Sequence, residues 1–269
     1  MDYTKNNPLR VVTLCSGYDS QCLALDRLKR DYPDFDYELV AWAEYDPETP
    51  KTPLEKQPAV IAHNALFPQW ADRNLGDMTK IDWQSLPDFD LLFYSTPCQS
   101  ISAAGLQHGF DEGTGTRSSI IWNVRDAVKT KKPKFCVMEN VKAMVCAKFK
   151  PTYNLWCAEL GKLGYTNFAR VLNAKDYGVP QSRERIFLVS IRNDDNDIPN
   201  FHFPQPFPLE RRLKDVLEDK VDEKYYLSDD AIARMQRNME KEEITTDRGG
   251  AAKTILASLA KITTFDNYV

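Results

Sequence analysis

The chain has 269 residues, of which 42% are hydrophobic and 28% charged, the composition of a globular protein with length for one large domain or two modest ones. That composition excludes disorder, collagen and low complexity; no apolar run approaches the roughly 18 to 20 residues of a bilayer span and the N-terminus is polar, so a cytoplasmic protein without membrane contact is expected. With 35 Lys and Arg against 39 Asp and Glu the net charge is −4, which excludes nucleic-acid binding by bulk positive charge and confines any DNA contact to a local patch.

In chain order, short runs rich in β-branched and aromatic residues predict buried strands at 11–15, 39–43, 91–94, 135–138 and 186–191. Helical spacing predicts helices over 21–30, 118–128 and 153–163, the last stopped by Gly164. Strand and helix alternate, so the expected class is α/β with a mostly parallel sheet whose ligands sit outside the carboxyl ends of the strands. From Asn193 the texture changes to a polar linker, a proline-bearing stretch at 201–208 and a charge-rich tail. Within that tail Ser228 is the expected N-cap of a helix running towards Glu243, and 254–264 is more apolar. The expected division is 1–195 and 196–269, the second part marginal as an independent domain.

The loop after the first strand, Leu14-Cys15-Ser16-Gly17-Tyr18-Asp19, lies where an α/β sheet places a nucleotide-type cofactor, but it lacks the G-x-G-x-x-G phosphate grip. Alone it reads as a tight turn. The second strand ends in Glu44-Tyr45-Asp46, a carboxylate for ribose hydroxyls beside an aromatic for adenine, and Asp77-Met78 offers another acid before the third strand. Together these ends suggest an adenosine-containing cofactor without a pyrophosphate, which describes S-adenosylmethionine.

The six cysteines form no C-x-x-C pair and have no histidines at zinc spacing, so no metal site is expected and most are read as small buried thiols. Cys98 differs: it follows a buried strand directly behind Pro97 and precedes the polar Gln99 and Ser100, the setting of a nucleophile. The loop over 100–116 holds Gly105, Gly109, Gly113 and Gly115, a density that suits a segment closing over a substrate. The next strand delivers Glu139-Asn140-Val141 to the same expected edge. Later, Gln181-Ser182-Arg183-Glu184-Arg185 opens another strand with two arginines at period two on one face. Between Arg125 and Lys150 eight basic residues stand against two acidic ones, a solvated face for most of the lysines, with those after Glu139 positioned to meet a phosphate backbone.

Over about 10–192 this order of motifs resembles the DNA cytosine-C5 methyltransferase family: Pro97-Cys98-Gln99, Glu139-Asn140-Val141 and Gln181-x-Arg183-x-Arg185 match its most specific motifs in sequence order. Gly115-Thr116-Arg117-Ser118 is similar to the family segment after the mobile catalytic loop, while the cofactor loop departs from F-x-G-x-G-G, with Cys15, Asp19 and Ser20 at three of its positions. The resemblance implies a three-layer Rossmann-like methyltransferase fold, S-adenosylmethionine as cofactor and double-stranded DNA as substrate. It implies a Cys98 thiolate adding to carbon 6 of a flipped cytosine, Glu139 bonding the base, Arg185 its carbonyl oxygen and Arg183 the loop or a phosphate. Pro97 is then expected at the cofactor, and Gln99, Ser100, Asn140 and Gln181 at the substrate.

The family's C-terminal R-x-L-T-type and Gly-Asn-Ser-Val-type segments are not found, and 201–269 resembles only the start of a target-recognition region. Three readings stay open: a catalytic half that works with a second polypeptide supplying those segments, a truncated non-catalytic member that binds DNA or a partner, and an RNA (tRNA) cytosine-C5 methyltransferase.

Overall fold

The computed structural model describes residues 3–102, 107–194, 199–223, 226, 228–230 and 252–253. Along the chain lie β1 (Leu9–Leu14), α1 (Ser20–Asp31), β2 (Tyr37–Ala43), α2 (Pro58–Leu66), β3 (Leu91–Tyr94), α3 (Val124–Lys131), β4 (Phe135–Val141), α4 (Lys150–Lys162), β5 (Tyr165–Asn173), β6 (Gln181–Ser182), β7 (Glu184–Arg192) and β8 (Ala252–Lys253), joined by several 3-10 turns. Six strands form one sheet in the order β2-β1-β3-β4-β7-β5, and β6 pairs with β8 in a separate parallel ribbon.

The first four of these neighbours run parallel. Their register sets the functional edge: Leu14 stands opposite Ala43 and Tyr94, and Tyr94 opposite Met138. One residue further on, Cys15, Glu44, Ser95 and Glu139 emerge side by side. β7 runs the other way, because the Arg192 N–H donates to the Lys134 carbonyl (3.0 Å) and the Asn193 N–H to that of Gly164 (2.9 Å), which puts the end of β7 beside the starts of β4 and β5. The sheet is therefore mostly parallel, with one reversed strand.

Alternation along each strand divides the core into two layers. Val12, Leu92, Tyr94 and Met138 pack with Val124 and Val128 of α3 and with Trp156 and Leu160 of α4. On the opposite face Val11, Leu39, Trp42 and Leu91 pack with Cys22 and Leu25 of α1 and Val60 of α2. α3 shows how the sequence specifies its helix: Val124, Ala127 and Val128 face inward, Lys129 and Lys131 occupy the last turn, and Lys132 ends it in a left-handed conformation.

The helix expected over 118–128 divides into a 3-10 turn, Arg117–Asn123, followed by α3. Serines supply the reason. Ser119 Oγ donates back to the Thr116 carbonyl, a local bond that competes with a regular α-helical start, and Ser118 Oγ ties the turn to the distant Pro97 carbonyl. The tail helix expected from Ser228 is seen only at residues 229 and 230, and the remainder, like 254–264, lies outside the described residues.

By contacts the chain divides into two compact units, Met1–Val171 with Ile186–His202, and Leu172–Arg185 with Phe203–Val269. Among the described residues no helix is long and apolar enough to cross a membrane.

Candidate active site

A cavity of about 250 Å³ opens at the carboxyl edge of the first unit's sheet, walled by residues that follow β1, β2 and β3. Cys15, Glu44, Tyr45, Asp77, Met78 and Pro97 line it, six of the ten residues expected at the cofactor. Leu14, Gly17, Tyr18 and Asp19 do not. Leu14 ends β1 with its side chain in the core, and its carbonyl accepts the Ser95 N–H at 3.2 Å. Gly17 acts one step back from the wall: at φ +57° its N–H donates to Glu44 Oε2 at 2.6 Å, a left-handed conformation that suits glycine. Tyr18 is exposed.

Asp19 turns away from the cavity. It is fully buried, accepts the Thr13 hydroxyl at 2.7 Å, and lies 3.6 Å from Nε2 of the buried His63, whose ring stacks on Trp42. The Asp19 carboxylate is thus part of the support beneath the loop.

The electrostatics of the wall favour hydroxyl and amine donors over phosphate. Burial lifts the Glu44 carboxyl above its ordinary range, against the backbone N–H groups of Gly17 and Tyr45, which hold it down. Asp77 caps the 3-10 turn Met78–Lys80; burial pushes its carboxyl up, but hydrogen bonds from Thr79 and Lys80 prevail and keep it below the ordinary range. Arg117 also lines the cavity and gives its guanidinium to Glu48 at 2.6 Å. Burial pushes the Cys15 thiol far up, so it presents a neutral sulfur, 3.4 Å from that of Met78.

Cys98 lies on the exit of β3, half-buried, with its backbone folded into a tight turn: its carbonyl accepts the N–H groups of Ile101 (3.0 Å) and Ser102 (2.8 Å). Glu139 reaches the same edge on β4, where Ser95 Oγ donates to its Oε2 at 2.7 Å. Asn140 ties the two strand exits together: its side-chain amide donates to the Thr96 carbonyl at 3.0 Å and its oxygen accepts the Val141 N–H at 2.9 Å. Gln99 is exposed, and Ser100 is held through its backbone, by Ser118 and Gly109. Thiol turn, carboxylate and cavity therefore share one edge of one unit.

Gln181, Arg183 and Arg185 belong to the second unit. They are half-buried while Ser182 and Glu184 are exposed, in keeping with one shared face. The Arg183 N–H donates to Asn173 Oδ1 at 2.9 Å, Arg185 Nη1 donates to the Glu184 carbonyl at 2.8 Å, and the Gln181 N–H donates to the Val179 carbonyl at 2.7 Å.

Ser95 bonds Glu139, and Arg117 and Ile120 line the cavity, contacts that the sequence does not predict, although the segment 115–118 carrying Arg117 resembles a family segment. The signal was available in their positions: Ser95 follows a fully apolar strand, and Arg117 begins a turn directly after the glycine-rich loop. All six cysteines are free, but only Cys22 and Cys136 are fully buried and Cys146 is exposed, fewer buried thiols than composition suggested.

Residues 9–263 match the profile of C-5 cytosine-specific DNA methylases. The chain is 45% identical over 162 residues to the type II methyltransferase M2.ScrFI of Lactococcus lactis subsp. cremoris, covering 60% of this chain and 44% of that protein. It is 34% identical over 260 residues to the orphan methyltransferase M.Rho11sI of Bacillus phage rho11s, covering 87% and 48%. The chain thus spans about half the length of the curated relatives it matches. Among solved structures, a DNMT2 variant from Spodoptera frugiperda superposes with a TM-score of 0.70 at 18% identity over 93% of this chain and 70% of that one, a likeness of fold. With nearly the whole sequence inside the family profile, the chain belongs to the C-5 cytosine-specific DNA methylases.

Proposed function

We propose that the chain transfers a methyl group from S-adenosylmethionine to carbon 5 of cytosine in double-stranded DNA, with Cys98 as nucleophile. The observation that carries this reading is the common edge that joins the Pro97-Cys98 turn, Glu139 and the Glu44-lined cavity. Residues 1–195 are assigned the cofactor and the chemistry, and 196–269 the beginning of target recognition.

The cavity fits a nucleoside with a charged amino-acid arm. Glu44 is assigned the ribose hydroxyls and Tyr45, Met78 and Ile120 the purine, a reading supported by their shared place in the cavity wall, where the Arg117 charge is matched by Glu48. When bound, S-adenosylmethionine supplies an electrophilic methyl group.

Cytosine carbon 5 is too electron-poor to take that methyl directly, so Cys98 Sγ forms a bond to carbon 6 and raises the electron density at carbon 5. Glu139, oriented by the Ser95 hydroxyl, hydrogen-bonds the ring nitrogen and exocyclic amine where charge develops. Arg185 is assigned the carbonyl oxygen and Arg183 the loop or a phosphate. After transfer, which leaves S-adenosylhomocysteine, a water takes the carbon 5 proton, the C–H electrons form the carbon 5–carbon 6 double bond, and the sulfur–carbon bond breaks with its electrons on the thiolate. Because carbon 6 is inaccessible in a duplex, the base is flipped out of the stack.

Incorporation of tritiated methyl groups into duplex DNA and into tRNA tests this. Label recovered as 5-methylcytosine in the duplex is expected. Label confined to tRNA would replace the substrate class, and none in either would remove the activity. A second polypeptide carrying the C-terminal motifs belongs to the same reading, and adding one is expected to raise incorporation.

A further inference from the structure

One buried hydroxyl brackets the nucleophile. Ser118, 2% exposed, donates through Oγ to the Pro97 carbonyl at 2.7 Å and accepts the Ser100 N–H at 3.1 Å. Those two backbone groups flank Cys98 and Gln99, so a single oxygen closes both ends of the thiol-bearing turn. Its neighbours in the same 3-10 turn, Arg117 and Ile120, form part of the cavity wall. Thr116 anchors that turn at its start, accepting the Ser119 N–H at 3.2 Å and donating to the Gly109 carbonyl at 3.0 Å.

We propose that Ser118 is a positioning residue that fixes the Cys98 turn in register with the cofactor cavity. A reaction that joins a nucleophile, a base and a methyl donor needs the nucleophile held relative to the donor, and a misplacement on the order of 1 Å costs about a hundredfold in rate. The 3-10 turn Arg117–Asn123 meets that need by touching the cavity with two side chains and the thiol turn with a third. Alanine at 118 leaves the Pro97 carbonyl and Ser100 N–H without this partner and frees the turn to shift, while the cavity wall stays in place. The proposal rests on the cytosine methyltransferase reading for its effect on turnover. Its effect on the thiol is independent of that reading.

The test compares the 269-residue chain with Ser118→Ala and Ser118→Thr, the latter keeping the hydroxyl. One arm measures methyl transfer to duplex DNA. The other measures carbamidomethylation by iodoacetamide, in which Sγ bonds to carbon and iodide leaves, followed peptide by peptide with the exposed Cys146 as internal reference. Ser118→Ala is expected to lower kcat about ten- to a hundredfold with the KM for S-adenosylmethionine within about twofold. Its Cys98 is expected to alkylate at least about threefold faster relative to Cys146, and Ser118→Thr to restore both quantities towards the parent. Equal alkylation ratios and equal kcat in the parent and Ser118→Ala overturn the proposal, as does a loss confined to KM. If Ser118→Ala lowers thermal stability so far that Cys146 reactivity also changes, a Ser118→Thr variant that fails to restore the Cys98 ratio overturns it as well. A parent chain without methyl transfer but with the shifted alkylation ratio defeats the function reading and leaves the positioning of the thiol standing.

Discussion

At Cys98 the chain places a thiol on a proline-led turn, half-exposed and one strand away from a carboxylate, whereas Cys22 and Cys136 are fully buried in the core. Replacing Cys98 with Ser is expected to lower methyl transfer at least about a thousandfold while leaving the melting temperature unchanged, since a half-buried sulfur is exchanged for oxygen of similar shape. Glu44 shows the opposite trade. Its folded-state carboxyl titrates above its ordinary value of 4.5, so its stabilising contribution is present at low pH and is lost as pH rises through the raised value. Glu44→Gln is therefore expected to gain stability at neutral pH and to flatten the stability profile just above pH 4.5, as read by thermal melts across pH. If Glu44 holds the ribose as proposed, the same variant is expected to lower the affinity for S-adenosylmethionine in calorimetry by about ten- to a hundredfold. A variant with unchanged affinity would separate Glu44 from the cofactor.

Among the elements, β1 to β4 were legible because each carries a run of apolar residues, and they begin and end within a few residues of expectation. β5 was not. Only Tyr165 of that edge strand is buried, and the sequence Thr166-Asn167-Phe168-Ala169-Arg170 carries no clean alternation, so its pairing comes from the sheet and not from its own pattern. α2 escaped notice for a similar reason: it is nine residues long and buries Val60 and His63, a polar residue that enters the core by stacking on Trp42. The sheet edge that gathers Cys98, Glu139 and Glu44 was legible because each of them stands at or just beyond the end of an apolar strand. The site was opaque where backbone geometry decides, as at Asp19, which a left-handed φ of 64° accompanies into the core. α4 is fixed to the sheet by Trp156, fully buried, edge-on to Tyr94 and Trp122, with its indole N–H donating to the Tyr94 hydroxyl at 3.2 Å. Trp156→Ala is expected to cost about 3–5 kcal/mol in chemical denaturation, and a loss below about 1 kcal/mol would show that the core collapses around the gap.

For the whole molecule, a net charge of −4 leaves DNA contact to local basic residues, and the basic stretch over 125–150 divides between the two edges of the sheet. Lys129 and Lys132 lie at the end of α3, before β4, and so at the amino edge of the sheet, whereas Lys142 and Lys150 follow β4 on the edge that holds Cys98 and Glu139. Lys142→Gln and Lys150→Gln are each expected to weaken duplex binding uniformly across sequences and to reduce the salt dependence by about one unit of slope, while Lys129→Gln and Lys132→Gln leave both unchanged. Equal effects from the two pairs would contradict this placement. The chain spans about half the length of its curated relatives, yet the thiol turn, the carboxylate and the Glu44-lined cavity all fall within its first unit. The most direct measurement is therefore the mass of the product formed with duplex DNA carrying 5-fluorocytosine in the presence of S-adenosylmethionine, where fluorine at carbon 5 blocks release of the sulfur. The account predicts a complex of protein, DNA and one methyl group joined through Cys98 and absent from Cys98→Ser; a methylated duplex without that adduct, or an adduct that survives Cys98→Ser, would contradict it.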